Sequence, residues 1–595
     1  MLKLTESAVH VRVTGPQNEL YLVSEKLRFR PPNFWRADSY QIHQQTDGAK
    51  GWDGYLYPLK IAKPTDGAAP KGLLLRGLKA ELFAGAAAAG VQLDTSGLLV
   101  SPFSGLVADD LPEDLIQGAF QLDEDQRRCV TEWLSQGIGI NQAVVNSGKT
   151  AMFAAAASAI KRKFPNARIL YFTASERLVN QSMMDFETFI PDLEISQFGG
   201  GKRDYSGKDM VVATAASIHR NFKKLDAEGW FKSFMCVMSD EVHHCASPSI
   251  ERWMLKLPAF FRFGASDQIK HDDLVASQTV RGLVGPIVGE IEHETLMAKG
   301  RSAKPKIYLI DKKSWHNKFR TSTHAAEIGS KAWCLLDGEW KSGIYEGPVF
   351  EPAEPGKDGL YQENEDDGLK KDKKGEPIPM PNYHSVTLIE DGKSETLQLP
   401  SRWCLLDRLY DNAIIRFKER NDLILQWAEH FSGKGWPTLI VCTRTLHVKI
   451  LETSLRTKLG SKVKSLFSEH STKERDRTFQ WFKTTPGAVL VTPLVKEGVS
   501  INEIKAGIIA DPIAGYELAR QVIGRFVRKK KEGENEAHIV WFIDRQHPNY
   551  RSNGYQLFEK LEEIRGFEFY HPVTTPEDLA LATKYAGSLP EPSDI

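Results

Sequence analysis

The sequence predicts an α/β protein: two tandem parallel-sheet domains, a small α+β domain ahead of them, and an insertion before the second sheet domain. Three observations carry that prediction. Apolar runs of strand length alternate with helical stretches in two separate blocks, which implies parallel sheets with helices on both faces. The first block opens with an apolar run that enters Ser147-Gly148-Lys149-Thr150 and then an alanine-rich helical stretch. A later apolar run of the same block ends in an acidic pair, Asp240-Glu241.

A chain of 595 residues exceeds what one core holds, since single cores stop growing near ~250–300 residues. The composition shifts place domains at 1–105, 106–311, 312–409 and 410–550, with a C-terminal tail at 551–595. Lys+Arg and Asp+Glu are both 77, so global charge says nothing about nucleic acid; any such argument rests on local patches. The cysteines (129, 236, 245, 334, 404, 442) contain no Cys-x-x-Cys pair, which excludes a zinc ribbon and fits a reduced compartment. No run of about 18 apolar residues is present, and the start does not read as a signal peptide. The expected location is the cytoplasm, with no membrane partner.

In the first 105 residues, alternating runs at 9–13, 19–23 and 54–59 predict a small sheet, and residues 78–90 predict a helix. Between them lie Arg28, Arg30, Phe34, Trp35, Arg36, Trp52 and Tyr55. Two readings compete: arginines on phosphates with aromatics stacking on bases, or a small domain using aromatics as its core. The aromatics favour the second; the arginines stay open between the two.

The first sheet domain is expected to hold a helix at 122–134 capped near Asp123, and strands at 138–145, 168–173, 210–214, 234–238 and 261–265. Ligands of such sheets bind at the carboxyl ends of the strands. A strand, tight turn, Gly-Lys-Thr and helix make a phosphate loop: backbone N–H groups and the helix dipole favour the anion. Lys149 would reach the β- and γ-phosphates, and the Thr150 hydroxyl would hold Mg²⁺. Two positions depart from the strict pattern. Ala143 and Asn146 stand where glycines are usual, although Asn tolerates a positive φ better than most residues. Asp240 would hold the Mg²⁺ through water, and Glu241 would orient the attacking water. His243 would link that site to the rest of the machinery.

Residues 312–409 break the α/β rhythm, and 352–381 read as an exposed loop rich in Gly, Pro and charge. The pentapeptide Trp-Cys-Leu-Leu-Asp occurs at 333–337 and again at 403–407. The second sheet domain is expected to have strands at 438–442, 463–467, 488–492, 507–510 and 538–543, without a second phosphate loop. It has instead a basic stretch at 520–531, in which Gln521, Arg525 and Arg528 would share one helix face. Two guanidiniums there can stabilise a transferring phosphoryl group; a solvated basic face is the plainer reading, and Lys529–Lys531 fit it well.

Together these stretches resemble the motifs of superfamily 2 helicases and translocases: 143–150 motif I, Asp240-Glu241-Val242-His243 motif II, and 521–528 motif VI. The resemblance implies two RecA-like domains and the cofactors ATP and Mg²⁺. It implies that Gln126, Asn146, Ser147, Gly148, Lys149 and Thr150 bind ATP, that Thr150 and Asp240 hold the metal, and that Lys149, Asp240, Glu241, Gln521, Arg525 and Arg528 are catalytic. His243, Ser266, Glu497 and Gly498 would couple hydrolysis to movement, and Thr173, Arg177, Gly200, Thr214, Arg444 and Thr492 would contact DNA. Within the superfamily the likeness is to the branch-migration helicases of T-even phages, over roughly 10–310 and 410–545. That likeness implies a monomer that unwinds, regresses and migrates branched, forked or single-stranded DNA in recombination, replication and repair, alongside other proteins of those processes. An RNA helicase and a restriction-type duplex translocase are the alternatives on the same fold.

Overall fold

The structure is a computed structural model that describes residues 1–31, 34, 37–46, 51–62, 70–118, 120–267, 273–310, 331–336, 339–349, 383–390, 393–400, 404–405, 414–467, 469–493, 504–513, 516–530, 535–542, 557, 561, 564, 566–571, 574–580 and 583–584. Contacts divide the chain into two units, Met1–Ser302 with Lys496–Ser500, and Ala303–Val495 with Ile501–Ile595. Among the described residues no helix is long and apolar enough to cross a membrane.

The first unit begins with a five-stranded sheet of β1 (Leu2–Glu6), β2 (His10–Thr14), β3 (Lys60–Ala62), β4 (Lys71–Leu75) and β5 (Leu93–Gly97), in the order β3-β4-β2-β1-β5. Only β1 and β5 pair in parallel. Period-2 alternation turns Leu2, Leu4, Val11 and Val13 inward, where they share a core with Leu20 and Val23 of α1 (Gln17–Leu27) and Leu82 and Ala86 of α2 (Lys79–Ala88). The strand expected at 19–23 is thus part of α1. Pro16 starts the helix, and burial follows Leu20, Val23 and Ser24 while Tyr21 and Leu22 stay exposed. That is helical spacing, and it overrides the short alternation. The strand expected at 54–59 is reduced to one bridge, Phe29 to Leu56.

This small sheet is fastened to the parallel sheet of the same unit. Buried Arg76 donates through Nε to Glu6 Oε1 at 2.6 Å and through Nη1 to the Phe260 carbonyl at 2.5 Å. Gly77 backs onto the Arg281 carbonyl so closely that a Cβ would lie 1.8 Å from its oxygen. Arg281 in turn pairs with Glu81.

The parallel sheet contains β6 (Ile138–Ala143), β7 (Ile169–Thr173), β8 (Ile195–Gly199), β9 (Lys202–Arg203), β10 (Met210–Thr214), β11 (Cys236–Asp240), β12 (Phe261–Ser266) and β13 (Ile287–Ile291). Their order is β13-β6-β12-β11-β7-β10-β8-β9, and only the edge strand β9 is antiparallel. Every residue of β7, β10 and β12 is buried, because both faces are covered. One face carries α3 (Glu124–Gln136), α4 (Lys149–Lys163) and α5 (Glu176–Phe189), with Trp133 stacked on Phe153 at 4.9 Å and on Phe263 at 5.4 Å. The other face packs on α6 (Leu274–Val284) and the aromatic cluster around Trp230 and Trp253. The order brings the carboxyl ends of β6, β12, β11 and β7 side by side.

The second unit starts one strand earlier than the sequence suggests. β14 (Lys304–Ile310) lies inside the boundary drawn at 311, yet it pairs in parallel with strands near the other end of the chain. After it, β15 (Lys331–Leu336), β16 (Glu339–Val349), β17 (Tyr383–Glu390), β18 (Lys393–Pro400) and β19 (Cys404–Leu405) form an antiparallel sheet, order β18-β17-β16-β15-β19. The insertion therefore interrupts the second α/β domain after its first strand. The two pentapeptide copies meet there: Trp333 is opposite Leu405 and Cys334 opposite Cys404. The loop expected at 352–381 lies outside the described residues.

The second parallel sheet adds β20 (Thr438–Val441), β21 (Val463–Ser465), β22 (Val489–Thr492), β23 (Ala506–Ile509), β24 (Glu536–Phe542), β25 (Glu568–His571) and β26 (Thr583–Lys584), in the order β21-β22-β20-β23-β24-β14-β25-β26. Segments expected to be a C-terminal tail supply its last two strands. Its helices include α7 (Lys418–Gly433), α8 (Thr445–Leu459) and α9 (Tyr516–Phe526). The two parallel sheets are the two RecA-like domains.

Candidate active site

The loop after β6 begins with Val144 and Val145 and coils through two left-handed residues, Asn146 at φ 71° and Gly148 at φ 82°. Asn is among the few side chains that visit this region readily, so it serves where a glycine is usual. Gly148 cannot be replaced without conflict: a Cβ would lie 2.4 Å from Gln126 Nε2. Lys149 then opens α4, whose first residue has no side-chain cap. The Asn146 Nδ2 and Ser147 Oγ atoms are buried and lack a hydrogen-bond partner. Two unsatisfied donors at the start of a 15-residue helix are what an incoming phosphate would satisfy.

Gln126 is fully buried and braces this loop. Its Nε2 donates to the Ser147 carbonyl at 2.7 Å, and its Oε1 accepts from the Asp123 N–H at 2.9 Å, completing a capping box with Asp123. Both ends of the amide are thus hydrogen-bonded within the protein. Asp123 is also paired with Arg301 and Lys299.

At the end of β11 the acidic pair lies opposite this loop. Glu241 is held at φ 52°, a left-handed geometry uncommon outside glycine, and such residues concentrate at functional sites. Lys149 Nζ is 3.5 Å from Glu241 Oε1. Ser266, the last residue of β12, donates from Oγ to Glu241 Oε2 at 3.3 Å and lies 2.9 Å from His243 Nδ1. Four of the expected residues thus form one connected group: Lys149, Glu241, Ser266 and His243. Asp240 accepts from the Glu241 N–H at 3.0 Å and from the Tyr171 hydroxyl at 3.2 Å.

Burial pushes the Asp240 carboxyl up to about 6; Lys149 opposes that shift and Glu241 adds to it. Burial also works against ionised Glu241, but Lys149, His243 and His244 outweigh it and hold its pKa below the usual range. For Lys149, burial disfavours the ammonium, yet Glu241, Asp240 and Asp267 together raise its pKa. Three carboxyl groups around one ammonium leave a deficit of positive charge that a divalent cation would fill. Asp240 and the half-buried Thr150, on the first turn of α4, are the residues available to hold it.

Sequence reasoning missed Tyr171, Ser182 and Asp267. Tyr171 is fully buried on β7, and its hydroxyl joins Asp240 to Ser182, 3.0 Å away. A tyrosine in an otherwise apolar central strand is a signal, because a buried phenol requires a partner.

The expected DNA contacts are a mixed set. Thr173, Thr214 and Thr492 are buried. Thr214 caps the helix after β10 by accepting from the Ser217 N–H, and Thr492 Oγ1 donates to the Leu466 carbonyl at 2.8 Å. The Thr214 and Thr492 side chains thus serve the local fold, while Thr173 Oγ1 is buried without a hydrogen-bond partner among the described residues. Gly200 sits at φ 61° in the turn between β8 and β9. Arg444 is exposed at the start of α8. The side chains of Arg177 and Gln521, and all of Glu497 and Gly498, lie outside the described residues.

Arg525 and Arg528 are half-buried. The expected shared helix face ends early, because α9 stops at Phe526. The Val527 carbonyl accepts from the Ala303 N–H at 2.7 Å, which draws the chain out of the helix before Arg528. Lys530 is buried, with Nζ on the Ile504 and Phe526 carbonyls, so it caps the helix end and is not part of a solvated face. In the N-terminal sheet domain, exposed Arg28 and Arg30 lie over the Tyr55 ring at 4.1 and 4.4 Å, and Phe34, Trp52 and Tyr55 are half-buried, packing locally; Trp35 and Arg36 lie outside the described residues. Cys442, His447 and Asp511 come within 4.8 Å of one another, but both His447 nitrogens and both Asp511 oxygens are already hydrogen-bonded.

Residues 119–266 match the family described as type III restriction enzyme, res subunit, and residues 420–530 match the helicase conserved C-terminal domain. No curated protein matches the chain by sequence. Among solved structures it is similar to T4 UvsW, with 15% identity over 96% of this chain and 98% of that one and a TM-score of 0.39. A second structure, of the UvsW helicase from bacteriophage T4, shows 19% identity over 49% of this chain and 99% of that one, TM-score 0.40. The ATP-dependent type ISP restriction-modification enzyme LlaBIII bound to DNA shows 11% identity over 75% of this chain and 30% of that one, TM-score 0.47. With these two matched segments in tandem the chain resembles the superfamily 2 helicases.

Proposed function

We propose that the chain is an ATP-driven helicase or translocase that acts on branched DNA, unwinding and migrating junctions in recombination, replication and repair. The observation that carries this reading is the connected group Lys149, Glu241, Ser266 and His243, set beside a phosphate loop whose buried donors are unsatisfied. ATP with Mg²⁺ supplies a phosphoanhydride whose hydrolysis releases free energy. Asn146, Ser147, Gly148, Lys149 and Thr150 hold the phosphates, and Thr150 and Asp240 hold the cation. Glu241 orients the attacking water, and its bond to Ser266 passes the state of that carboxylate to His243 and the end of β12. Gln126 acts on the nucleotide through the loop it braces. For Gln521, Arg525 and Arg528 as catalytic residues, and Glu497 and Gly498 as coupling residues, the support is the family motif. Backbone groups at Thr173, Gly200, Thr214 and Thr492, with Arg177 and Arg444, would hold phosphates and not bases, so sequence specificity is low. The protein would work as a monomer in the cytoplasm.

The test is ATP turnover measured side by side with forked DNA, single-stranded DNA, blunt duplex DNA and RNA. Forked DNA is expected to stimulate most. Greater stimulation by RNA overturns the proposal. The family match over 119–266 favours a restriction-type duplex translocase as the second reading; blunt duplex stimulating as strongly as the fork would select it.

A further inference from the structure

A cavity of about 240 Å³ lies in the second unit, away from the carboxyl ends of its strands. Lys306, Tyr308, Lys434, Trp436, His538 and Tyr570 line it. Lys306 and His538 are in register near the starts of β14 and β24, and Trp436 lies just ahead of β20. Thr443, Arg444 and Thr492 of the same unit follow or end strands at the opposite edge. Nothing in the proposed ATP chemistry uses this place.

Two properties of the lining point to a ligand. The first is flat aromatic wall. Buried Tyr308 stacks within the protein on both His538 and Trp427, each at 5.9 Å, and forms the floor; the His538 and Trp436 rings are 4.8 Å apart, and Tyr570 is 5.5 Å from Tyr308. The second is charge. Lys434 and Lys505 each lie over Trp436, at 4.8 and 4.9 Å. Lys306 pairs with Glu536 at 2.6 Å, and Lys304 pairs with Glu568 at 2.8 Å. Lys306 and Lys304 are thus matched by carboxylates, whereas among the described ion pairs Lys434 and Lys505 have no carboxylate partner. His538 reports the same field: burial first, then Lys306, Lys434 and Lys505 against Glu536, push its pKa down to about 4. It is therefore neutral at pH 7 and adds ring surface without charge. The volume is below the ~300–1,000 Å³ of drug-sized pockets, which leaves room for one flat ring system and its substituent.

We propose that this cavity binds a nucleobase carrying a phosphate, the base against the Trp436 and Tyr570 rings and the phosphate on Lys434 and Lys505. Stacking on aromatics is tolerant of base identity, and lysine meets phosphate as a point charge. The same chemistry is offered by a free mononucleotide and by the 5′-phosphorylated end of a strand. The site is separate from the phosphate loop and does not depend on the function proposed for it.

The test is calorimetric titration of the full-length chain carrying Lys149→Ala, which silences the proposed ATP loop. The probes are 5′-AMP, a 5′-phosphorylated oligothymidylate, ribose 5-phosphate and inorganic phosphate. Saturable binding of AMP or the oligonucleotide is expected, weakened at least about tenfold by Lys434→Glu and by Trp436→Leu. Lys434 is exposed, so its variant stays informative if the Trp436 variant misfolds. Tighter binding of the oligonucleotide than of AMP assigns the site to strand ends, and the reverse assigns it to free nucleotide. Three outcomes overturn the proposal: no saturable binding of either probe up to about 1 mM, affinity unchanged by Lys434→Glu, or equal binding of ribose 5-phosphate or inorganic phosphate.

Discussion

In each parallel sheet one strand runs into a short polar loop and then a long helix, and the two loops are finished differently. After β6, the loop through Asn146 and Gly148 leaves Asn146 Nδ2 and Ser147 Oγ buried without partners at the start of α4. After β20, Asp511 from beyond β23 fills the corresponding place. Its Oδ2 accepts from the Thr443 N–H at 2.6 Å and from Thr443 Oγ1 at 2.9 Å, and its Oδ1 meets His447 Nδ1. His447 Nε2 faces Asn421 Oδ1 at 2.9 Å, while the Asn421 amide donates to the Ile415 carbonyl at 2.7 Å. Asn421 therefore accepts, and both His447 ring nitrogens are engaged inside this buried cluster. Burial works against ionised Asp511, but His447, Arg420 and the Thr443 N–H outweigh it and hold its pKa below the usual range. The second loop carries its own anion. In the first loop the donors Asn146 Nδ2 and Ser147 Oγ meet no carboxylate among the described residues, and that difference marks them as the place for an anion from outside.

The largest test of this contrast is Asp511→Ala, which strands His447 and Arg420 in a closed interior. A loss of about 3–5 kcal/mol is expected in urea unfolding of the second unit; a loss below about 1 kcal/mol would break the idea of a built-in anion. Next is Lys149→Ala. Nucleic-acid-stimulated ATP turnover should fall by about 10²–10³-fold, with a similar fall in Glu241→Gln. Undiminished turnover in either variant removes the assignment of the first loop.

A third prediction concerns pH. The folded pKa of His538, about 4, is below its unfolded value of 6.5. The unfolded chain therefore takes up the proton first as pH falls. Stability is complete above pH 6.5 and declines between 6.5 and 4, by about 2 kcal/mol at pH 5. Urea midpoints of the second unit at pH 7 and 5 should show this, and His538→Gln should flatten it. The smallest effect is expected for Asn146→Gly. Glycine suits φ 71° and removes an unsatisfied buried amide, so stability should change by less than about 1 kcal/mol, while ATP binding should weaken by about fivefold as one phosphate donor is lost. Unchanged ATP binding would show that the Asn146 amide does not contact the nucleotide.

Much of the site was legible because its parts are local. Lys149 and Thr150 follow one strand, and Asp240 and Glu241 end another, so apolar runs and the residues that stop them located all four. The cap at Asp123 was visible for the same reason. Tyr171 and Asp267 were not, because their relevance comes from a neighbouring strand reached only through the sheet order. That the Thr214 and Thr492 hydroxyls would turn to their own backbone surroundings was not legible either, because a short hydroxyl at a strand end can do so or face outward. Residues 19–23 failed because five residues of alternation cannot outweigh a helix begun by Pro16.

By itself the sequence determined the α/β class, the phosphate loop, the acidic pair and the presence of two sheet domains. Each of these is written in periodicity, or in residue types a few positions apart. Only the tertiary structure decided that β14 and β25 belong to the second sheet, that Gln126 braces the loop, and that the insertion follows the first strand of its domain. Strand pairing joins residues hundreds of positions apart, and a buried amide takes whichever partner packing brings to it. Neither leaves a mark in the local pattern of the chain.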